Sequence, residues 1–202
     1  MPSYHVPAML QEVLRFLAPA PGKTMVDCTL GGSGHAAAIC EQIQPDGVLI
    51  GIDQDAEAVS LSRKRLDFCR ARVHLVHDNF AHLPQILSRL EIVGADGILA
   101  DLGISLHQIE RSGRGFSFQR DEPLDMRMDP QAGEKAEDII NRAGETDLAR
   151  IFREFGEERY AKSIARRVVA ARKKAPIRTS RQLAELVRAA VPRGAGARMR
   201  IH

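Results

Sequence analysis

Cysteine and long apolar runs are both scarce in this chain of 202 residues, and each shortage excludes a class of protein. The three cysteines, Cys28, Cys40 and Cys69, are widely spaced and form no C-x-x-C pair. Neither a disulfide framework nor a cysteine-based zinc site is therefore expected, and a reducing, cytoplasmic location is expected instead. No uncharged stretch approaches the roughly 20 residues of a membrane-spanning helix, and the first residues lack the basic-then-apolar profile of a signal peptide.

Acidic and basic residues are divided unevenly between the two halves of the chain. Residues 1–102 contain 8 Lys and Arg against 12 Asp and Glu, a balance of −4, whereas residues 103–202 contain 21 against 14, a balance of +7. From Arg159 onward there are 13 basic residues and one acidic residue, Glu185. A short basic run is usually a solvated helix face, but an excess of this size makes a nucleic-acid partner the leading explanation.

Short apolar segments alternate with helical patterns in the first half. The sequence predicts strands at 24–28, 48–52, 73–76 and 97–100, and helices at 5–17, 34–43, 56–68 and 83–90. This alternation predicts a parallel, doubly wound sheet, which binds its ligands at the carboxyl ends of the strands. Those ends carry a glycine turn, Asp53, Asp78-Asn79-Phe80 and Asp101.

The second half shows no strand pattern and is predicted to be a separate helical domain, so the expected domains are residues 1–103 and 104–202. Helices are predicted at 147–155, capped by Thr146, at 158–174, and at 180–191 after a T-x-x-Q capping box that starts at Thr179. The first of these places Leu148, Ile151, Phe152 and Phe155 on one apolar face. The second is expected to direct Arg166, Arg167, Arg172 and Lys173 largely outward.

The glycine turn lies in the stretch VDCTLGGSGHAA, residues 26–37. If Gly32, Gly34 and Ala37 are read as G-x-G-x-x-A, the turn can bind a dinucleotide pyrophosphate at a helix N-terminus. It can equally bind S-adenosylmethionine, or nothing. Asp53 follows Gly34 by 19 residues, where a carboxylate can accept both hydroxyls of an adenosine ribose or can instead cap the next helix. Both cofactors contain that ribose, so Asp53 does not separate them.

The third and fourth strand ends separate the two cofactors better. Phe80 follows the third strand, where an adenine ring lies in a methyltransferase, although a core position is equally open to it. Asp101 follows the fourth strand, where the transferred group and its acceptor would meet, and His35 can contact a cofactor carboxylate. No Tyr-x-x-x-Lys pair or other hydride-transfer partner is found, which argues against an NAD-dependent oxidoreductase.

Eight segments of the chain resemble the RsmH (MraW) family: HVPAML, VDCTLGGSGH, GIDQD, DNF, LADLGIS, RGFSFQRDEPLDMRMD, IFREFGEERYAKSIARRVV and RMRIH. They occur in the family's order from His5 to His202. Members of this family are bacterial S-adenosylmethionine-dependent enzymes that methylate the N4 amino group of a decoding-centre cytidine in 16S rRNA. The resemblance implies a Rossmann-like class I methyltransferase sheet with an inserted helical RNA-recognition domain. It also implies 16S rRNA of the small ribosomal subunit, and neither DNA nor a membrane, as the partner.

The resemblance also implies roles for individual residues. Contacts to S-adenosylmethionine are implied at Ser33, Gly34, His35, Asp53, Phe80, Asp101 and Gln108. Asp101 is in addition the candidate catalytic residue that orients the cofactor or the amine. RNA contacts are expected at Arg166, Arg167, Arg172 and Lys173. The family's sheet has seven strands and only four are readable here, so the chain is expected to be the N-terminal part of a longer protein. The alternative function is that of a non-catalytic RNA-binding fragment with a vestigial cofactor pocket.

The segment between the two predicted domains has two features with more than one interpretation. The phenylalanines of RGFSF can stack on an unstacked base, but they are expected to anchor the loop to the core. Asp121, Asp125 and Asp129 superficially match a metal site. Because Arg120 and Arg127 alternate with them, internal ion pairs are expected and no metal is assigned.

Overall fold

The computed structural model describes residues 7–192, which form two compact units that meet between His107 and Gln108. His5 and the closing RMRIH segment, which carry part of the family resemblance, lie outside the described residues. Within the described residues, no helix is long and apolar enough to cross a membrane.

The first unit alternates helices and strands. Its elements in chain order are α1 (Leu10–Leu17), β1 (Thr24–Asp27), α2 (Gly34–Ile43), β2 (Val48–Asp53), α3 (Ala56–Arg65), β3 (Arg72–His77), a 3₁₀ turn (Phe80–His82), α4 (Leu83–Arg89) and β4 (Gly97–Leu99). Helix α5 (Leu106–Glu110) spans the boundary between the units. All four predicted strands are present with bounds within one residue of the prediction. Helix α1, by contrast, begins five residues later than predicted, because Met9 adopts a left-handed conformation with φ of 51°.

The four strands form one parallel sheet in the order β3-β2-β1-β4, which confirms the predicted doubly wound fold. The chain builds the sheet outward from β1 to β3 and then returns to place β4 on the other side of β1. This reversal opens a crevice at the carboxyl ends of β1 and β4, the usual ligand position in such sheets. A backbone hydrogen bond joins the two sides of this crevice: the N–H of Cys28, which follows β1, donates to the carbonyl of Leu99, the last residue of β4, at 2.9 Å.

Apolar side chains cover both faces of the sheet. Met25 and Leu49 belong to one buried cluster with Ile39 of α2, whereas Val26 and Ile50, the next residues along the two strands, belong to the other. Because successive side chains of a strand point to opposite faces, a strand buried on both sides must be apolar throughout. The continuous apolar runs that marked β1 and β2 in the sequence have this cause.

The second unit is helical over its described residues, 108–192, as predicted. After α5 come α6 (Ala136–Arg142), α7 (Glu145–Glu154), α8 (Ala161–Arg172) and α9 (Ser180–Ala190). They enclose a core of Leu124, Ile140, Leu148, Ile164, Ala165, Val168 and Ile177. Leu124 comes from the long connecting segment. Its backbone N–H donates to the carbonyl of Arg178 at 2.9 Å. That segment is therefore anchored to the helical core.

One helix of this unit was missed, two details of the predicted helices are wrong, and the predicted capping box is confirmed. Helix α6 was not predicted. Helix α7 begins at Glu145 with Gly144 as its N-cap, so Thr146 lies inside the helix and does not cap it. Phe155 continues the apolar face of α7 but lies beyond its last residue, and its side chain is 77% exposed. The capping box at Thr179 is present, with the Thr179 hydroxyl bonded to the N–H of Gln182 and the Gln182 side chain to the backbone of Thr179.

Arg172 differs from the other cations of α8 because its guanidinium points inward. Its Nη1 donates to the carbonyl of Ile140 at 2.6 Å and its Nη2 to the carbonyl of Ala143 at 2.7 Å. The last carbonyls of a helix have no partner within that helix, so Arg172 satisfies them and ties α8 to the end of α6. The prediction of an outward position holds for Arg166, Arg167 and Lys173, which are exposed, and is wrong for Arg172.

We expect Arg172→Met to destabilise the second unit by roughly 2–3 kcal/mol, because two hydrogen bonds from a charged group are lost and two carbonyls are left without a partner. The matched control is Lys173→Met at the neighbouring exposed position, which should change stability by less than about 0.5 kcal/mol. Urea-dependent hydrogen exchange of peptides from α6 and α8 measures both. Equal stabilities of the two variants would show that the Arg172 bonds contribute nothing.

Candidate functional site

An aspartate lies at or just beyond the carboxyl end of every strand. Asp27 and Asp53 are the last residues of β1 and β2, Asp78 directly follows β3, and Asp101 lies two residues after β4. Because the strands are parallel, these four carboxylates lie along one edge of the sheet. The N–H of Asp78 bonds the carbonyl of Asp53, and His82 holds the Asp78 carboxylate at 2.8 Å, which lowers the pKa of Asp78. This edge therefore carries a concentration of negative charge.

The glycine turn between β1 and α2 is held in a single conformation by groups from β2 and α3. Gly31 and Ser33 both have a positive φ, of 46° and 60°, and only glycine adopts that conformation without strain. The N–H of Gly31 donates to Asp53 Oδ2 at 2.8 Å, and the guanidinium of Arg65 donates to the carbonyl of Gly32. The turn is thus preformed by the protein itself.

Asp53 is the residue that fixes this turn to the end of β2. Besides the bond from Gly31, its Oδ1 accepts the N–H of Asp55 at 2.9 Å. Burial raises the pKa of Asp53, and the two backbone bonds oppose that rise. The alternative role of Asp53 as the cap of the following helix is wrong, because Asp55 caps α3 by accepting the N–H of Glu57 at 3.1 Å. Each carboxylate oxygen of Asp53 has two acceptor positions, so each retains capacity for a ligand hydroxyl.

His35 and Asp101 lie on the two sides of the crevice between β1 and β4. His35 is buried, and its Nε2 lies 2.9 Å from the carbonyl of Ala8. A carbonyl can only accept a hydrogen bond, so Nε2 carries the proton, and Nδ1 faces Asp101 Oδ2 at 3.9 Å. The backbone N–H of Asp101 donates to Thr29 Oγ1 at 2.8 Å. The side chain of Asp101 is 55% exposed and accessible to a ligand.

Ser33 and Gly34 contribute differently from their neighbours. The hydroxyl of Ser33 is fully buried, 2.5 Å from Ser62 Oγ on α3, so it points into the core and away from the surface of the turn. A Cβ added to Gly34 would lie 2.9 Å from Cδ of Pro7, closer than such atoms normally approach. Glycine is therefore needed here for the segment before α1 to lie against the start of α2.

The two remaining residues of the predicted cofactor set lie in different units. Phe80 begins the 3₁₀ turn after β3 and is 37% exposed, so its ring is not part of the buried core. Gln108 belongs to the second unit, where its side chain is buried and its Nε2 contacts the sulfur of Met128 at 3.1 Å. The structure brings Ser33, Gly34, His35, Asp53, Phe80 and Asp101 to the strand ends of the first unit. Cofactor contacts at these residues and at Gln108 remain predictions.

Asp27 is a site residue that the sequence reasoning missed. Its side chain is only 1% exposed, and Oδ1 accepts the N–H of Thr29 at 3.0 Å. Within residues 7–192, no group is hydrogen-bonded to its buried Oδ2. Burial raises the pKa of Asp27 to about 6, against the lowering effect of the Thr29 bond and of His35. A carboxylate at the end of an otherwise apolar strand, directly before a glycine turn, was the available signal.

The aspartates of the connecting segment are engaged with arginine. Asp125 accepts two bonds from the guanidinium of Arg127, at 2.8 and 2.7 Å, and these bonds lower the pKa of Asp125. This is the expected internal ion pair. In the described part of the chain, no group of three His, Cys, Asp or Glu side chains is placed to bind a metal.

The cations of α8 have few acidic partners. Arg166 Nε lies 3.7 Å from Glu145 Oε1, and both side chains are well exposed. Across residues 7–192, no carboxylate lies within ion-pair distance of Arg167, Lys173 or Lys174. Exposed ion pairs of this kind contribute little stability, so these cations are available to a polyanion.

Comparisons with known proteins agree with the resemblance. The model of the MraW methylase family matches residues 2–202. The chain is 53% identical over 188 residues to the ribosomal RNA small subunit methyltransferase H of Desulfosudis oleivorans, which covers 93% of this chain and 60% of that protein. It is also 53% identical over 190 residues to the protein of the same name from Syntrophotalea carbinolica, with coverage of 94% and 60%. The chain thus spans about 60% of the length of these relatives.

Solved structures give only a partial likeness. TrmN from Thermus thermophilus matches with a TM-score of 0.34 and 21% identity, over 38% of this chain and 24% of that one. A SAM-dependent methyltransferase from Aquifex aeolicus matches with a TM-score of 0.33 and 17% identity, over 39% of this chain and 43% of that one.

The buried carboxyl of Asp27 should make the first unit less stable as the pH rises. Its pKa is about 6 in the folded protein and near the ordinary 3.8 when unfolded, so the folded state binds more protons between these values. The contribution of Asp27 to stability is then greatest below pH 4, falls by roughly 2–3 kcal/mol up to pH 6, and is constant above. Asp27→Asn should remove this slope, as read by urea-dependent hydrogen exchange of β1 and α2 peptides.

The matched control for this titration is Asp46→Asn, at an exposed position on the opposite end of β2. It should keep the slope of the parent protein. If Asp27→Asn keeps it as well, another group titrates and the buried carboxyl of Asp27 is already ionised at pH 4.

Proposed function

The chain belongs to the MraW methylase family, and from that premise we propose that it supplies the cofactor-binding and RNA-binding parts of an S-adenosylmethionine-dependent rRNA methyltransferase. The proposed reaction is methylation of the N4 amino group of a decoding-centre cytidine in 16S rRNA of the small ribosomal subunit, in the cytoplasm. Two similar proteins carry the name ribosomal RNA small subunit methyltransferase H, which supports the substrate class. The site geometry supports the cofactor.

The row of aspartates at the strand ends is the observation that best supports S-adenosylmethionine over a dinucleotide. This cofactor carries positive charge on its sulfonium and its α-ammonium group, whereas the pyrophosphate of NAD carries two negative charges. Asp27, Asp53, Asp78 and Asp101 attract the first and repel the second. The buried Oδ2 of Asp27, which has no hydrogen-bond partner among the described residues, adds to this preference directly behind the glycine turn.

Each part of the cofactor has a matching group at this edge. The free acceptor positions of Asp53 suit the two ribose hydroxyls, and the exposed ring of Phe80 suits the adenine. The N-terminus of α2, with its unpaired N–H groups, suits the methionine carboxylate. The site residues present therefore fit S-adenosylmethionine, which when bound would supply an electrophilic methyl group. In this proposal Gln108 and the backbone of Ser33 and Gly34 complete the set.

Asp101 is the residue we propose to act on the substrate amine. A carboxylate accepts hydrogen bonds from the N4 amino group of cytosine, and such a bond orients the nitrogen and disperses the charge that develops on it. The released proton can pass to an Asp101 oxygen. The hydroxyl of Thr29 accepts the backbone N–H of Asp101 and so fixes the position of this residue. Alignment of this kind supplies much of the rate in a transfer between two bound partners.

The exposed cations of α8 are proposed to bind the phosphates of the rRNA. Arg166, Arg167 and Lys173 were expected from the sequence to contact RNA, and they are exposed as that role requires. Arg172 has its guanidinium bonded to α6, so Lys174 takes its place in the set of phosphate-binding cations.

Asp53→Ala should weaken binding of S-adenosylmethionine by about 1.5–3 kcal/mol, or roughly 10- to 150-fold, because hydrogen bonds to a charged group are lost. It should not create affinity for NAD, since the other aspartates remain. Isothermal calorimetry with both cofactors on the full-length protein measures this. Asp46→Ala at the other end of β2 is the control and should bind like the parent. An unchanged affinity in Asp53→Ala would remove Asp53 from the site.

The combined change of Arg166, Arg167, Lys173 and Lys174 to Gln should flatten the slope of log affinity for rRNA against log salt by about 3. Each phosphate contact contributes roughly 0.7–0.9 to that slope through counterion release. The matched control changes four exposed cations of the first unit, Arg63, Lys64, Arg70 and Arg72, to Gln and should keep the parent slope. Cofactor affinity should be unchanged in both. Equal slopes in the two quadruple variants would assign the α8 cations to a solvated helix face.

A further inference from the structure

Phe155 is an aromatic side chain that the helical core of the second unit leaves uncovered. It follows the last residue of α7, and its backbone N–H still bonds the carbonyl of Ile151 at 3.1 Å. Leu148, seven residues or about two turns earlier on the same helix face, is fully buried, and Phe152 is partly buried. The chain turns at Gly156 before α8 begins at Ala161, and among residues 7–192 the helices leave most of the Phe155 side chain exposed. Its ring is 77% exposed, a costly arrangement for a side chain that has no role at the surface.

Three cations of α8 lie in a narrow arc on the side next to α7. Lys162, Arg166 and Lys173 are four and seven residues apart, which places them within about 40° around the helix and spreads them over about 16 Å of its axis. All three are exposed. The contact of Arg166 with Glu145, the first residue of α7, shows that this arc lies on the α7 side of α8, whereas Phe155 follows the last residue of α7. The first cation of the arc, Lys162, follows Phe155 by only seven residues, so the arc starts close in the chain to the ring.

The carboxylates around Phe155 are for the most part engaged. Glu154 lies 3.4 Å from Arg150, and Glu158 Oε1 accepts the N–H of Tyr160 at 2.6 Å. Glu157 is exposed, as are Arg153 and Arg159 on either side of it. A phosphate is thus better bound along the arc of α8, whereas an uncharged, planar group is better bound at Phe155.

We propose that Phe155 and the arc of Lys162, Arg166 and Lys173 bind a single-stranded segment of RNA, with an unpaired base stacked on the Phe155 ring and the backbone phosphates along α8. This proposal rests on the proposed rRNA-methylating function and adds the single-stranded form of the substrate. An exposed aromatic ring beside a row of cations is the arrangement by which proteins bind single strands, because every base offers a flat face and every phosphate a charge. A duplex keeps its bases stacked on each other and cannot use the ring.

Phe155→Ala in the full-length protein should weaken binding of a fluorescein-labelled single-stranded RNA roughly 10-fold, while the slope of affinity against salt stays that of the parent. The slope is unchanged because stacking releases no counterions. Phe155→Tyr keeps the flat ring and should bind within about twofold of the parent, whereas Phe155→Leu keeps apolar bulk without the ring and should resemble the alanine variant. Binding of a duplex of the same length should be equal in all four proteins.

Phe16 provides the matched control, because it is also 77% exposed and its ring also lies beside an arginine, with Arg15 at 4.8 Å. Phe16→Ala should bind both RNAs like the parent. Phe155→Trp introduces an indole into a chain that has no tryptophan of its own, and the single strand should quench the fluorescence that this variant gains over the parent. The fluorescence gained by Phe16→Trp should not be quenched. This second readout does not depend on a loss of affinity.

Three outcomes would overturn the proposal. If Phe155→Ala binds the single strand as tightly as the parent, or if Phe16→Ala loses as much, stacking on Phe155 does not occur. If Phe155→Ala changes the oligomeric state by light scattering while RNA binding is unchanged, the ring belongs to an interface between copies of the chain. If the parent itself binds neither RNA in a salt-dependent way, the proposed function fails, a result that the parent alone reveals before any variant is compared.

Discussion

The bond from the N–H of Gly31 to Asp53 Oδ2 is the interaction on which the shape of the strand-end edge depends. It joins the turn after β1 to the end of β2, so two separate strands define one rigid rim. Glycine loses more conformational entropy on folding than any other residue, so the left-handed turn is costly to order. The bond to Asp53 offsets part of that cost. Because the same carboxylate also holds the N–H of Asp55, the start of α3 is fixed by the same group. The shape of the edge thus follows from one half-buried side chain.

This arrangement has an electrostatic cost that a ligand of the right charge can offset. Carboxylates that gather at one edge repel each other, and burial makes the ionised form of Asp27 and Asp53 less favourable still, which raises the pKa of each. A protein selected for stability alone would place neutral groups there. Clusters of perturbed acids in a crevice are typical of functional sites, since the strain is relieved when the partner binds.

The sequence predicted the sheet well because its signals are local and strong. The apolar runs of β1 and β2 are forced by burial on two faces, and Asp53 and Asp101 could be placed at strand ends by counting residues. Prediction failed where a residue's role depends on a distant partner. Arg172 lies four residues after the buried Val168, on the inner face of α8, but its charge favoured an outward position. The carbonyls that accept its guanidinium belong to Ile140 and Ala143, some thirty residues earlier in the chain. The hydroxyl of Ser33 was likewise directed into the core by Ser62. Asp27 was overlooked because its burial, and with it the rise in its pKa, is a property of the folded sheet.

The position of β1 between β2 and β4 has a consequence for how the protein is made. One side of the crevice is the turn that follows β1, and the other side is the segment that follows β4. The N–H of Asp101 donates to Thr29 and joins the two sides, although these residues are 72 positions apart in the chain. At ribosomal synthesis rates of about 5–20 residues per second, the second side emerges roughly 4–14 s after the first. A nascent chain therefore displays the glycine turn for seconds before the crevice exists, and the proposed cofactor site is complete only after β4 has docked.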